Sequence, residues 1–122
     1  MLPWPVAHPS VAAALALLAC ADKVKARRDV VIAGRERFIK TLQTLPGVIA
    51  YPSETNFVLI RVPNAGHVRD TLLAHDIRVA LGVSMSRFPE AKVLLKDTLR
   101  IAVPAPSDLS AIGAVLTRLF TK

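Results

Sequence analysis

The chain has 122 residues, 52% of them apolar but only 5% aromatic, with 16 Lys plus Arg against 9 Asp plus Glu and a formal net charge of +7. That length suits one domain burying about 65% of the surface its unfolded chain exposes, and leaves no room for two of ordinary size. The apolar fraction excludes a disordered chain, and one cysteine with no Cys/His cluster at zinc spacing excludes an internal disulfide or a zinc staple, so packing must hold the fold.

The first predicted element is a helix that starts at Pro9, suited to a first helical position, or at Ser10 as cap, and runs toward Ala21. Its apolar run, Val11 to Ala21, is shorter than the roughly 20 residues of a spanning helix. Leu17-Leu18-Ala19-Cys20 has the look of a lipoprotein cleavage box. Met1 to Ser10, however, holds no Lys or Arg and is broken by Pro3, Pro5 and Pro9, which argues against an export signal. The expectation is a cytoplasmic chain with Cys20 as a small buried hydrophobe.

Asp22 is the candidate cap of a second helix running to about Leu45, where Pro46-Gly47 stops it, with Gly34 a candidate bend. Val24, Val31, Phe38, Leu42 and Leu45 recur at helical spacing as one stripe, and Lys23, Lys25, Arg27, Arg28, Arg35, Arg37 and Lys40 fall mostly off it. A cationic face of this kind can hold phosphate backbones or anionic membranes. The chain offers no aromatic interleaving for stacking, so a solvated outer face is the plainer reading.

Val48 to Tyr51 is short and extended, and Asn56 to Val62 is a run of β-formers ended by Pro63-Asn64, apolar enough for a mid-sheet strand. Ala65 to His75 reads as a helix with Val68, Leu72 and Leu73 inward, and Ile77 to Ala80 as a short strand. Gly82 to Lys96 is an irregular excursion with a helical turn over Glu90 to Leu95. Thr98 to Val103 alternates, placing Leu99, Ile101 and Val103 on one face and Arg100 on the other. After Pro104 and Pro106, Ser107 or Asp108 caps a last helix with Leu109, Ile112, Leu116, Leu119 and Phe120 as its buried stripe. The result is an α+β fold, a small mainly antiparallel sheet with helices packed on one face, in a single domain over 1–122: a helical segment 1–45 and a sheet-and-helix core 46–122.

Spacing offers little chemistry. His67 and His75 lie eight apart, too far for a one-turn metal pair, no glycine pattern forms a phosphate loop, and Ser53 and Ser84 lack a recognisable histidine partner. Arg100 stands out as a lone cation in an otherwise apolar or small strand. It is either an exposed arginine, a partner of an internal carboxylate such as Asp97 or Asp108, or a two-pronged grip for an external carboxylate or phosphate.

Pro52-Ser53-Glu54-Thr55-Asn56-Phe57-Val58-Leu59-Ile60 resembles the "PS-x-x-NFVL" strand start of histidinol-phosphate aminotransferases, pyridoxal-phosphate enzymes of the aspartate aminotransferase fold type. Thr98-Leu99-Arg100-Ile101 is similar to that family's "LRI" strand, Leu2-Pro3-Trp4-Pro5-Val6 to its "PY-x-L" segment, and the helix around Arg35-Glu36-Arg37 to its Arg/Glu-rich helix, all in the family's order. The resemblance covers the carboxy-terminal part of such an enzyme. It implies the small domain, a missing large domain that binds pyridoxal phosphate as partner, and a role in histidine biosynthesis. The family's aldimine lysine, phosphate cup and pyridine-facing aspartate lie upstream of the matched region, so no cofactor is expected on this chain alone and it is predicted to be inactive by itself.

The resemblance implies that Arg100 binds the anionic end of a substrate. The family's second arginine, in a "GI-x-VR" strand, matches Ala80 here, which leaves Arg78 or Arg87 as its replacement. The glycine-rich turn after "LRI" is replaced by Pro104-Ala105-Pro106. Threonine-phosphate decarboxylases share the small domain and are not separated by these motifs. Without the large domain, Leu15, Leu17 and Leu18 are expected to drive self-association into an oligomer. The rival reading is a non-catalytic basic module that contacts nucleic acid or an acidic partner through the 23–40 helix; no membrane partner is expected.

Overall fold

The computed structural model describes residues 7–121, so the motif at Leu2-Pro3-Trp4-Pro5-Val6 lies outside the described residues. The chain falls into two compact units, Met1–Val30 and Val31–Lys122. The first unit contains α1 (His8–Leu18) and the beginning of α2 (Ala21–Gln43). Proline in the first turn of α1 costs no hydrogen bond, because that N–H has no helical partner. Without a side-chain cap, the Ala7 carbonyl accepts from the N–H groups of Ser10 and Val11.

Ala19 and Cys20 form the turn between the helices. The Cys20 carbonyl accepts from the N–H groups of Lys23 and Val24 and so does the capping expected of Asp22, which instead lies in the first turn, where its charge suits the helix dipole. Cys20 is exposed, correcting the expectation of burial: it occupies a helix junction in a unit whose described residues are all exposed. Leu15, Leu17 and Leu18 are 62%, 58% and 74% exposed. No described helix is long and apolar enough to cross a membrane.

The second unit is built on a four-stranded antiparallel sheet in the order β1-β2-β4-β3, formed by β1 (Ile49–Ala50), β2 (Phe57–Arg61), β3 (Ala80–Leu81) and β4 (Thr98–Ala102). The two longest strands are interior and pair over their full length, Phe57 opposite Ala102 through Arg61 opposite Thr98. Alternation sends Val58, Ile60, Leu99 and Ile101 to one face. There they join Phe38 and Leu42 of α2, Val68 and Leu72 of α3 (Ala65–Leu73) and Leu116 of α5 (Leu109–Phe120) in one buried cluster. This is the α+β sandwich that the sequence predicts, with the mid-sheet strand where its apolar run implies.

The departures are local. Leu73 is 50% exposed because Val68 and Leu72, four apart, define the buried line of α3 and Leu73 lies about 100° around from it. The strand expected over Ile77 to Ala80 shrinks to Ala80–Leu81. After α3 the chain reverses through Asp76 at φ 59, with the Ile77 N–H bonded back to the Leu72 carbonyl, so residues 77–79 are still returning to the sheet. The excursion holds a 3-10 turn at Gly82–Met85 and α4 (Pro89–Leu94). It is fastened at Thr98, fully buried, whose hydroxyl donates to the Leu95 carbonyl at 2.7 Å. Asp108 stands at the α5 cap position without a side-chain cap bond; it accepts from the Ser107 hydroxyl instead.

Candidate anion-binding face

The face of the sheet away from the buried cluster carries Phe57, Leu59 and Arg61 from β2 and Thr98, Arg100 and Ala102 from β4. Its two arginines are used differently. Arg61 is tied down: Nε donates to the Tyr51 hydroxyl at 3.0 Å, and its terminal nitrogens donate to the carbonyls of Leu94 at 2.9 Å and Lys96 at 3.3 Å. It fastens the excursion across the strand end, a structural role that the sequence pattern does not reveal.

Arg100 is exposed, with Leu59 opposite it on β2 and Ala80 opposite it on β3. Its Cζ lies 4.4 Å from the centroid of the Phe57 ring. The register explains the contact. Phe57 is paired with Ala102, so Arg100 is its diagonal neighbour on the same face, a separation that a long side chain and an aromatic ring bridge, and the small Ala102 leaves the space open. Among the described residues the Arg100 side chain makes no ion pair and its guanidinium donates no hydrogen bond, so neither Asp97 nor Asp108 holds it. Of the three sequence alternatives for Arg100, the internal carboxylate partner is the one the structure does not contain.

Arg78 is in a different setting. It is exposed and lines a cavity of about 400 Å³ with Asp76, Ile101, Val103, Asp108 and Ile112, in the opening left where the β3–β4 ladder stops short. Arg100 does not line that cavity. Arg87 is exposed in the loop before α4. A larger open cavity of about 580 Å³ lies beside α2, lined by Arg35, Glu36, Ile39, Gln43, Pro52 and Glu54, with Arg35 donating to the Thr55 carbonyl at 3.2 Å. On the basic helix, Lys25 and Arg28 both engage Asp29, at 3.0 and 3.7 Å, which neutralises part of the cationic face.

Lys23, Lys25, Lys40, Lys92 and Lys96 are all exposed, on helices or in turns. A pyridoxal phosphate site needs an enclosed lysine amine beside groups for the ring and the phosphate, and the described residues do not fit that requirement. Nor do they contain a group of three side chains able to hold a metal ion.

No protein-family model matches the chain. It is 32% identical over 119 residues to the histidinol-phosphate aminotransferase of Roseiflexus castenholzii, covering 93% of this chain and 31% of that protein. It is 35% identical over 118 residues to the Stenotrophomonas maltophilia enzyme of the same name, covering 94% and 30%. Among solved structures, a decarboxylase from Sulfurospirillum multivorans superposes with a TM-score of 0.77 at 21% identity over 96% of this chain and 33% of that one. The histidinol-phosphate aminotransferase of Clostridium acetobutylicum does so with 0.63 at 20% identity, over 75% and 26%. At those identities the structural likeness establishes the fold alone, and the sequence matches carry the kinship. Spanning about a third of the curated relatives it matches, the chain is a partial-length relative of the histidinol-phosphate aminotransferases.

Proposed function

We propose that this chain serves as the small domain of an aminotransferase resembling the histidinol-phosphate enzymes, where Arg100 receives the anionic end of the substrate. The observation that carries the reading is the state of Arg100: exposed on the open sheet face, its donors without protein acceptors among the described residues, and steadied by Phe57. A guanidinium in that state offers planar, charge-assisted hydrogen bonds to a carboxylate or phosphate. Pyridoxal phosphate, which supplies the electron sink in the enzymes that the chain resembles, belongs in this reading to a large domain, and no step of its chemistry is assigned to these residues. Arg78, two residues before the shortened β3, serves in this reading as a second contact for a substrate that extends into the cavity it lines. The exposed thiol of Cys20 suits a reducing compartment, which supports a cytoplasmic setting.

Titration of the 122-residue chain with inorganic phosphate, followed by heteronuclear NMR at constant ionic strength, tests the assignment. Saturable shifts centred on Arg100 and its strand neighbours, lost in Arg100→Ala with the remaining spectrum intact, are expected. Shifts confined to the helix between Lys23 and Lys40 would overturn it in favour of a basic binding module.

A further inference from the structure

Phe57 is half-buried, yet it belongs neither to the buried core cluster nor to the partly buried apolar residues packed against it. Its ring points to the opposite face of the sheet and meets the Arg100 side chain there. Its backbone is unusually well anchored for the first residue of a strand. The Phe57 N–H donates to the Thr55 hydroxyl at 3.1 Å, and the Phe57 carbonyl accepts from the hydroxyls of Ser53 and Thr55. Ser53 Oγ in turn accepts from the Thr55 N–H at 3.2 Å. Two hydroxyls therefore fix the start of β2, and with it the root of the ring that lies under the guanidinium. The side-chain hydrogen bonds of Ser53 and Thr55 all stay within this turn.

We propose that Phe57 is the positioning residue of the Arg100 anion site, its ring holding the guanidinium over the sheet so that the donors meet a carboxylate or phosphate already ordered. The proposal rests on the reading of Arg100 as an anion ligand. An arginine side chain loses much rotamer freedom when it grips an anion, and a ring that has already restricted it reduces that loss, which tightens binding. Packing on the ring uses the apolar face and leaves the hydrogen-bonding nitrogens available. The Ser53-Thr55 turn acts one step further out, by fixing where the ring stands.

The test extends the phosphate titration of the 122-residue chain. In the unmodified chain the Arg100 δ-methylene protons are expected upfield of their random-coil position, shifted by the Phe57 ring; random-coil values would overturn the proposal without any variant. Phe57→Leu, which keeps an apolar residue of similar volume, is expected to abolish that shift and weaken phosphate binding about fivefold, the size of effect that ordering one flexible side chain carries. Phe57→Tyr, which keeps the ring, is expected to restore both. Phosphate affinity within twofold of the unmodified chain in Phe57→Leu would refute the positioning role and leave the anion-ligand reading standing. Unchanged phosphate binding in Arg100→Ala would instead refute that reading, and the proposal with it.

Discussion

Replacing Arg100 by alanine separates a ligand from a structural ion pair through the size of the stability loss. With no carboxylate partner among the described residues, the folded chain forfeits mainly the contact with Phe57, which for an exposed cation over a ring is worth about 0.5–1 kcal/mol. For a domain of this size, about 1 kcal/mol moves the melting temperature by roughly 4 °C, so a fall of about 2–4 °C is expected. An arginine locked to a buried carboxylate would behave otherwise, because its removal strands the partner charge and costs about 3–5 kcal/mol, well over 10 °C on the same scale. Differential scanning calorimetry of Arg100→Ala distinguishes these outcomes. Because alanine also lowers strand propensity, by up to about 1 kcal/mol, Arg100→Thr serves as the β-compatible control. A double-mutant cycle with Phe57→Leu should return a coupling of about 0.5–1 kcal/mol. A loss above 10 °C in both Arg100 variants, with no coupling to Phe57, would refute the ligand reading.

Gly82→Ala places a Cβ 1.9 Å from Thr98 Oγ1 and 2.8 Å from the Leu95 carbonyl oxygen, so a loss of at least about 3 kcal/mol is expected in a denaturant melt, and a neutral result would mean that the excursion does not pack on β4 as described. Sedimentation velocity at micromolar concentration should detect self-association through α1, reversed by Leu15→Gln/Leu18→Gln; a clean monomer that also fails to bind an apolar dye contradicts this use of the exposed leucines. Incubating the isolated chain with pyridoxal phosphate and borohydride should label no lysine stoichiometrically, and one fully reduced lysine accompanied by turnover of histidinol phosphate would overturn that expectation. Cys20 should react with an aromatic disulfide reagent in the native chain as fast as in denaturant, since it is exposed at a helix junction; protection in the native chain would place it in an interface.

Much of the architecture is written in local pattern. The Asn56 to Val62 run specifies a mid-sheet strand, and the Leu99, Ile101, Val103 alternation specifies a second strand and which way it faces, because a period of two admits one buried face; the near-continuous apolar run leaves the facing of the first strand to its pairing. The Phe38 and Leu42 spacing specifies the buried line of α2 for the same kind of reason, although Val24 at the start of the same predicted stripe is 45% exposed and Leu45 lies past the helix end, and the motifs around Ser53 to Leu59 and Leu99 to Ile101 carry the resemblance. Arg100 is legible as an oddity on that pattern, a cation where its strand neighbours are apolar or small. What becomes of it is not local. Whether it meets Asp97, Asp108 or none depends on the β2–β4 register, which places Phe57 diagonally across from it. The same holds for Arg61, whose three acceptors come from residues 10, 33 and 35 positions away. The sequence alone also misplaces Cys20, Leu73 and the strand before Leu81, since burial at a helix junction, on the flank of a short helix or at a sheet edge is decided by what the rest of the chain brings alongside. Periodicity determines which side of an element is apolar. Only the tertiary pairing decides which two side chains meet, because the partners lie far apart in the chain and a one-residue slip in register would exchange them.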